Sequence, residues 1–293
     1  MIRLAIFKIK MFFKGPYYVP VPSNLKYRIG ISLWHILTLI RAPAIAVGIL
    51  LEQGIKPRKN RKIAILLGNG PSVTAEISSA LLDQRGAFDL YTINYYNRNS
   101  FSSNLIPDYH LISDPKNFDF ESNEKKCSNI MLYKYLVNNQ IKTYVPYAFK
   151  QSRFQQKIYY NDDESFLITS NSRYLPRYVA ANSMAKILRL VIGLEYEQIY
   201  VIGFDYNYLQ KLSVGKSNNL VLNDEHSYGT IESDWNEHFL NYRHALEWFA
   251  RDFNSFAKMK KFNVNVTIVS DVSVIDWWPR LSEADFLSVK LEC

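Results

Sequence analysis

The stretch Ala64-Ile65-Leu66-Leu67-Gly68-Asn69-Gly70-Pro71-Ser72 limits what this chain can fold into more than any other. Four apolar residues run without a polar break into a Gly-Asn-Gly-Pro-Ser turn. A strand with one wet face alternates apolar and polar residues, whereas an unbroken run marks a parallel strand buried on both faces. Gly68 and Gly70 allow positive φ and let a ligand approach the backbone. Ser72 is placed to cap a helix that begins near Val73. Strand, turn and helix N-terminus together make an anion site with free N–H groups, a common seat for a nucleotide phosphate. Asn69 is then available to a sugar or phosphate oxygen. An ordinary β-to-α turn without a ligand has the same spacing.

The pattern recurs downstream. The sequence predicts a helix over 73–82, a strand over 88–93 ending at Asn94, and a strand over 109–112 ending at Ser113-Asp114-Pro115. Residues 130–135 read as helix, and 142–145 and 166–169 as short strands. A helix over 178–192 follows, with Gly193 as its C-terminal cap. Gln198 to Asp205 forms a second buried strand, ending in Gly203 and Asp205. Residues 206–237 have little periodicity and read as an irregular lid, since long inserts of this kind in a compact domain are usually functional. A helix over 237–258 and a strand over 264–269 close the pattern.

Strands alternating with helices imply an α/β fold, a Rossmann-like, doubly wound and mostly parallel sheet. Ligands of such sheets sit beyond the carboxyl ends of the strands. Asn69, Asn94, Asp114 and Asp205 all fall at that edge.

Charge divides the 293 residues in two. Residues 1–62 hold twelve Lys/Arg and one acid, Glu52, a balance of +11 that leaves −3 for the rest of a chain whose net charge is +8. The remainder therefore has no excess of basic charge for a nucleic-acid groove. Residues 1–14 interleave Lys and Arg with large apolar side chains, and 29–51 are strongly apolar but interrupted by His35, Arg41 and Pro43. This suits helices lying on an anionic membrane surface better than a span. Helices packed on the domain as an N-terminal extension are the alternative. Lys56 to Lys62 reads as a linker, and the domain runs over 63–293. Two cysteines, Cys127 and Cys293, make neither a disulfide framework nor a metal site.

The GNGPS turn, the Asn after the second strand and the strand end IYVIGFDY resemble the bacterial sialyltransferases of glycosyltransferase family 42. The first motif is also similar to the related domain of nonulosonate transferases and archaeal pterin pyrophosphokinases. The likeness covers roughly residues 63–270. It implies a variant of the GT-A fold and donor contacts from Asn69 and Asn94, beside the Gly68, Gly70 and Ser72 turn read above, with Asp114 where the family has a third Asn. It also implies Ser183 at the donor carboxylate and Asp205 at the strand end. An Arg of the family pattern is replaced by Ala180, leaving Arg177 or Arg173 nearby. A family Tyr falls at Asn207, flanked by Tyr206 and Tyr208, which would stabilise the leaving nucleotide. The family's base is a His in a lid motif, matched by Asn223-Asp224-Glu225-His226-Ser227-Tyr228-Gly229 with one residue inserted. His226 is therefore the expected base, with His238 as competitor and His110 and His244 as structural residues.

The resemblance implies an inverting glycosyltransferase that needs no cofactor or metal. It would move a sialic or related acidic sugar from a CMP donor to a glycan or glycolipid acceptor at the inner face of the cytoplasmic membrane. A homo-oligomer is compatible with this reading. An ATP-dependent pterin-type pyrophosphokinase, favoured by Asp114 and Asp205, and a non-catalytic membrane scaffold are the alternatives.

Overall fold

The computed structural model describes residues 60–112, 117, 123–146, 166–169, 182–216, 220–234, 242–260, 262 and 264–291. The segment before Asn60, expected above to lie on a membrane surface, and Asp114 and His238 lie outside these residues. Among the described residues, no helix is long and apolar enough to cross a membrane.

Eight strands form one sheet: β1 (Ile63–Leu67), β2 (Phe88–Ile93), β3 (Tyr109–Leu111), β4 (Lys142–Pro146), β5 (Phe166–Thr169), β6 (Gln198–Ile202), β10 (Val266–Val269) and β11 (Arg280–Leu281). Three more, β7 (Leu212–Val214), β8 (Leu220–His226) and β9 (Gly229–Asp234), form a separate antiparallel sheet. The helices are α1 (Ala75–Asp83), α2 (Asn123–Asn138), α3 (Ser183–Ile192), α4 (Tyr208–Lys211), α5 (Tyr242–Met259) and α6 (Glu283–Leu287). The large sheet runs β11-β10-β6-β1-β2-β3-β4-β5, and its neighbouring strands pair in parallel. The chain leaves β1 in one direction through β2 to β5, then returns to β6 on the other side of β1. That reversal puts the topological switch point between β1 and β6, where open α/β sheets bind ligands.

The unbroken apolar run of β1 serves two layers. Ala64 and Leu66 pack with Ile187, Leu188 and Val191 of α3 and with Phe249 and Phe256 of α5. Ile65 and Leu67 face the other way, with Ile77 and Leu81 of α1 and Phe286 of α6. All four are fully buried, each side chain contributing about 1.5–3 kcal/mol.

Several boundaries move from the sequence reading. α1 is capped by Thr74, whose Oγ1 accepts the Ile77 N–H at 3.3 Å, and not by Ser72. α2 extends over sixteen residues where only 130–135 were predicted. α3 begins at Ser183, because the Asn182 side chain caps the Met184 and Ala185 N–H groups. The insert at 206–237 is not irregular, since most of it is the β7-β8-β9 meander. Its buried residues include Leu212, Leu220 and Leu222, too few to mark strands in the sequence. The two-residue β11 and the five-residue α6 are too short for any period.

The expected linker ends inside the fold. The Arg61 guanidinium donates to the carbonyls of Gly86 and Phe88 at 2.7 and 3.1 Å and to Asp89 Oδ1 at 3.1 Å. Asp89 is fully buried, and its Oδ2 accepts from the Asn60 N–H at 2.9 Å and the Tyr196 hydroxyl at 2.7 Å. Burying a carboxylate is costly unless its oxygens are hydrogen-bonded, as here. This clamp lies at the amino ends of the strands.

Candidate active site

At the opposite edge, the first glycine turn packs directly on the end of β6. Gly68 N–H donates to the Ile202 carbonyl at 2.7 Å, and Gly70 N–H to the Gly203 carbonyl at 3.1 Å. Ser72 N–H donates to Asp205 Oδ2 at 3.1 Å, while Ser72 Oγ accepts the Gly203 N–H at 3.0 Å. The remaining Asp205 oxygen accepts the Ser270 hydroxyl at 2.6 Å. The turn therefore does not present the row of open N–H groups expected of a phosphate cradle, because three of them bond to the β6 end. Nor does either glycine adopt positive φ; in this motif only Gly203 does, at +72°. Gly68 and Gly70 are needed because a Cβ at either would run into the Gly203 carbonyl. The glycines are packing devices for two loops, and Asp205 is the buried pin between them.

Side-chain amides gather beside this turn at the carboxyl edge of the sheet. Asn69 Nδ2 donates to the Ile93 carbonyl at 3.3 Å, and Asn99 Nδ2 to Asn69 Oδ1 at 3.4 Å. Asn94, held at φ +46° after β2, donates from Nδ2 to Ser183 Oγ at 3.0 Å. Asn117 Nδ2 donates in turn to Asn94 Oδ1 at 3.2 Å. Positive φ is tolerated best by Asn among residues with a Cβ. Two residues predicted separately, Asn94 and Ser183, thus form one unit. Beneath them His110 is wholly buried and bonds through Nδ1 to Thr92 Oγ1 at 2.7 Å. Burial drives its pKa down to about 3, so this imidazole stays neutral, as befits the structural role expected of it.

The meander closes on this edge. β8 and β9 pair in register down to His226 opposite Gly229, leaving Ser227 and Tyr228 as the turn. Ser227 N–H donates to the Asn69 carbonyl at 2.8 Å, and its hydroxyl bonds to Asn99 Oδ1. The His226 ring stacks on Tyr228, 4.8 Å between centroids and 15° between planes. A histidine 157 positions away in the chain is thereby brought beside the Asn69 turn.

The two tyrosines after Asp205 part company. Tyr206 is buried at φ +49°, its ring enclosed by Phe204, Tyr208, Phe249, Phe253 and Phe256. Tyr208 is only partly buried at the start of α4 and stacks on Phe249. The sequence reading missed Asn99, Asn117 and Ser270, polar residues without motif spacing whose roles arise only from contacts across the chain; Ser227 lies in the lid motif, but its bonds to Asn69 and Asn99 were not foreseen.

No family model matches this sequence, and no curated protein matches it. The fold is similar to solved structures of two sialyltransferases. One is the α-2,3-sialyltransferase of Campylobacter jejuni in apo form, 13% identical, covering 79% of this chain and 83% of that one at a TM-score of 0.41. The other is the C. jejuni sialyltransferase CstII in complex with a substrate analogue, cytidine-5'-monophosphate. It is 14% identical and covers 73% of this chain and 81% of that one, at a TM-score of 0.36.

Proposed function

We propose that this chain is an inverting, metal-independent glycosyltransferase, moving sialic acid or a related acidic sugar from a CMP donor to a glycan or glycolipid acceptor. The observation that carries the reading is the docked hairpin. Ser227 is bonded to Asn69, and the histidine beside it therefore stands at the strand edge where a donor would lie. In this reading Asn69 and Asn94 hold the donor, and Ser183, steadied by Asn94, faces its carboxylate. His226 takes the proton of the acceptor hydroxyl as that oxygen attacks the anomeric carbon. The bond from that carbon to the phosphate oxygen breaks, and its electron pair leaves with CMP. Attack opposite the leaving group inverts the centre in one step. Tyr208 donates a hydrogen bond from its hydroxyl to the departing phosphate, with Tyr206 fixing the backbone from within the aromatic cluster.

A pyrophosphokinase would draw on carboxylates at the strand edge. Asp205 does not serve that reading well, because both its oxygens are bonded to Ser72 and Ser270.

His226→Gln should lower transfer from a CMP-sugar by roughly 10²–10⁴-fold, the usual worth of a positioned base, with donor affinity nearly unchanged. Wild-type turnover should persist in EDTA. Consumption of ATP that EDTA abolishes, with no CMP release, would replace this reading with the kinase.

A further inference from the structure

Arg98 stands on the hairpin side of this site and has no place in the scheme above. It ends the single helical turn Tyr96–Arg98 that follows Asn94. Its guanidinium lies over the Tyr95 ring at 4.2 Å and 5.8 Å from the Tyr228 ring. Tyr228 is the ring that stacks on His226. One Nη donates to Ser128 Oγ at 3.0 Å. Among the described residues no carboxylate pairs with Arg98, whereas Arg61 and Arg85 both have one. The chain after residue 62 has a net charge of −3, so an unneutralised cation here is not part of a general basic surface.

The chemistry of that position is specific. A guanidinium held over a tyrosine ring at 4.2 Å is attracted by the ring face and keeps its planar fork of N–H donors for other partners. Those groups match the two oxygens of a carboxylate. Stacking also limits the motion of a long side chain, so less freedom is lost on binding. Tyr228 lies between Arg98 and His226, which puts the cation one aromatic ring away from the proposed base.

We propose that Arg98 is a specificity residue that holds a carboxylate on the acceptor, so that the preferred acceptor is itself an acidic glycan. The proposal rests on the glycosyltransferase reading, and its test separates the two. The probes are a neutral galactoside and the same galactoside extended by a carboxylate-bearing sugar. Their binding to wild type, Arg98→Ala and Arg98→Lys is measured by saturation-transfer NMR at low salt, and CMP release from a CMP-sugar is measured in parallel.

Wild type should prefer the acidic probe by about tenfold, the lower range for charge-assisted contacts. Arg98→Ala should bind both probes alike, and Arg98→Lys should keep part of the preference. CMP release without acceptor should be the same in all three proteins. Equal preference in wild type and Arg98→Ala overturns the proposal. A loss confined to donor affinity also overturns it, because it would assign Arg98 to the donor's carboxylate. If wild type releases no CMP yet Arg98 still governs the acidic probe, the transferase reading fails and the anion contact stands.

Discussion

One added methyl group distinguishes a ligand cradle from a packing joint. At Gly68 it would meet the Gly203 carbonyl and lie 2.8 Å from Met184 Cε. The carbonyl belongs to backbone and cannot turn aside, so Gly68→Ala should destabilise the domain by about 1–3 kcal/mol. Chemical denaturation checks this, and an unchanged midpoint would mean that the two loops are loosely joined. His110 gives a second outcome at this scale. Its folded-state pKa of about 3 lies below the ordinary value of 6.5. Between those values the unfolded chain binds the extra proton, so stability is complete above about pH 6.5 and falls as pH drops toward 3. The expected slope is about 1 kcal/mol for each pH unit. His110→Asn should be weaker at pH 7.5 but flatter between pH 6.5 and 4.5, as read by melting temperature. Parallel slopes in the two proteins would remove His110 as the source of acid sensitivity. The sequence carried the identity of Gly68 and Asn69 but not their division of labour, since the glycines of the turn are explained by Gly203, 135 positions beyond Gly68, and by Asp205 beside it.

Among the elements, the buried strands were the easiest to read, because a strand covered on both faces writes itself as an apolar run. Ile63–Leu67 is of that kind, whereas Phe88–Ile93 is buried throughout although Asp89 and Thr92 interrupt its apolar residues. The meander was not legible for the opposite reason. β8 is Leu-Val-Leu-Asn-Asp-Glu-His, whose polar half resembles a loop. Partner strands, rather than local preference, make it extended, and β propensity depends on such context. The docking of its tip is equally invisible beforehand, as it rests on one N–H and one hydroxyl of Ser227. Ser227→Ala keeps the backbone N–H bond to the Asn69 carbonyl and loses the hydroxyl contacts to that carbonyl and to Asn99 Oδ1. It should therefore lower turnover several-fold through a looser His226, with the melting temperature within about 0.5 kcal/mol of wild type in free-energy terms. A large fall in stability with unchanged turnover would make the tip a structural contact alone.

For the whole molecule, the charge asymmetry remains the main guide to where the chain works. Residues 1–62 carry +11 interleaved with large apolar groups, so apolar insertion and attraction to anionic headgroups should act together. The full chain should bind anionic liposomes at low salt, release at high salt, and bind neutral lipid poorly. Removing residues 1–56 should abolish binding and leave CMP release intact. Attachment that survives high salt and alkaline carbonate would instead mean a span. The deletion spares Asn60 and Arg61, and the position of that pair has a mechanical meaning. β1 is five residues long, so at about 3.3 Å per residue the Asp89 clamp lies roughly 15 Å from the Asn69 turn. Any pull on the preceding segment enters the domain through Arg61 and is borne by the amino ends of β1 and β2. The turn at the other end of the same strand feels none of it directly. A load entering at the amino edge in this way would leave the geometry of the opposite edge, where the Asn69 turn lies, undisturbed.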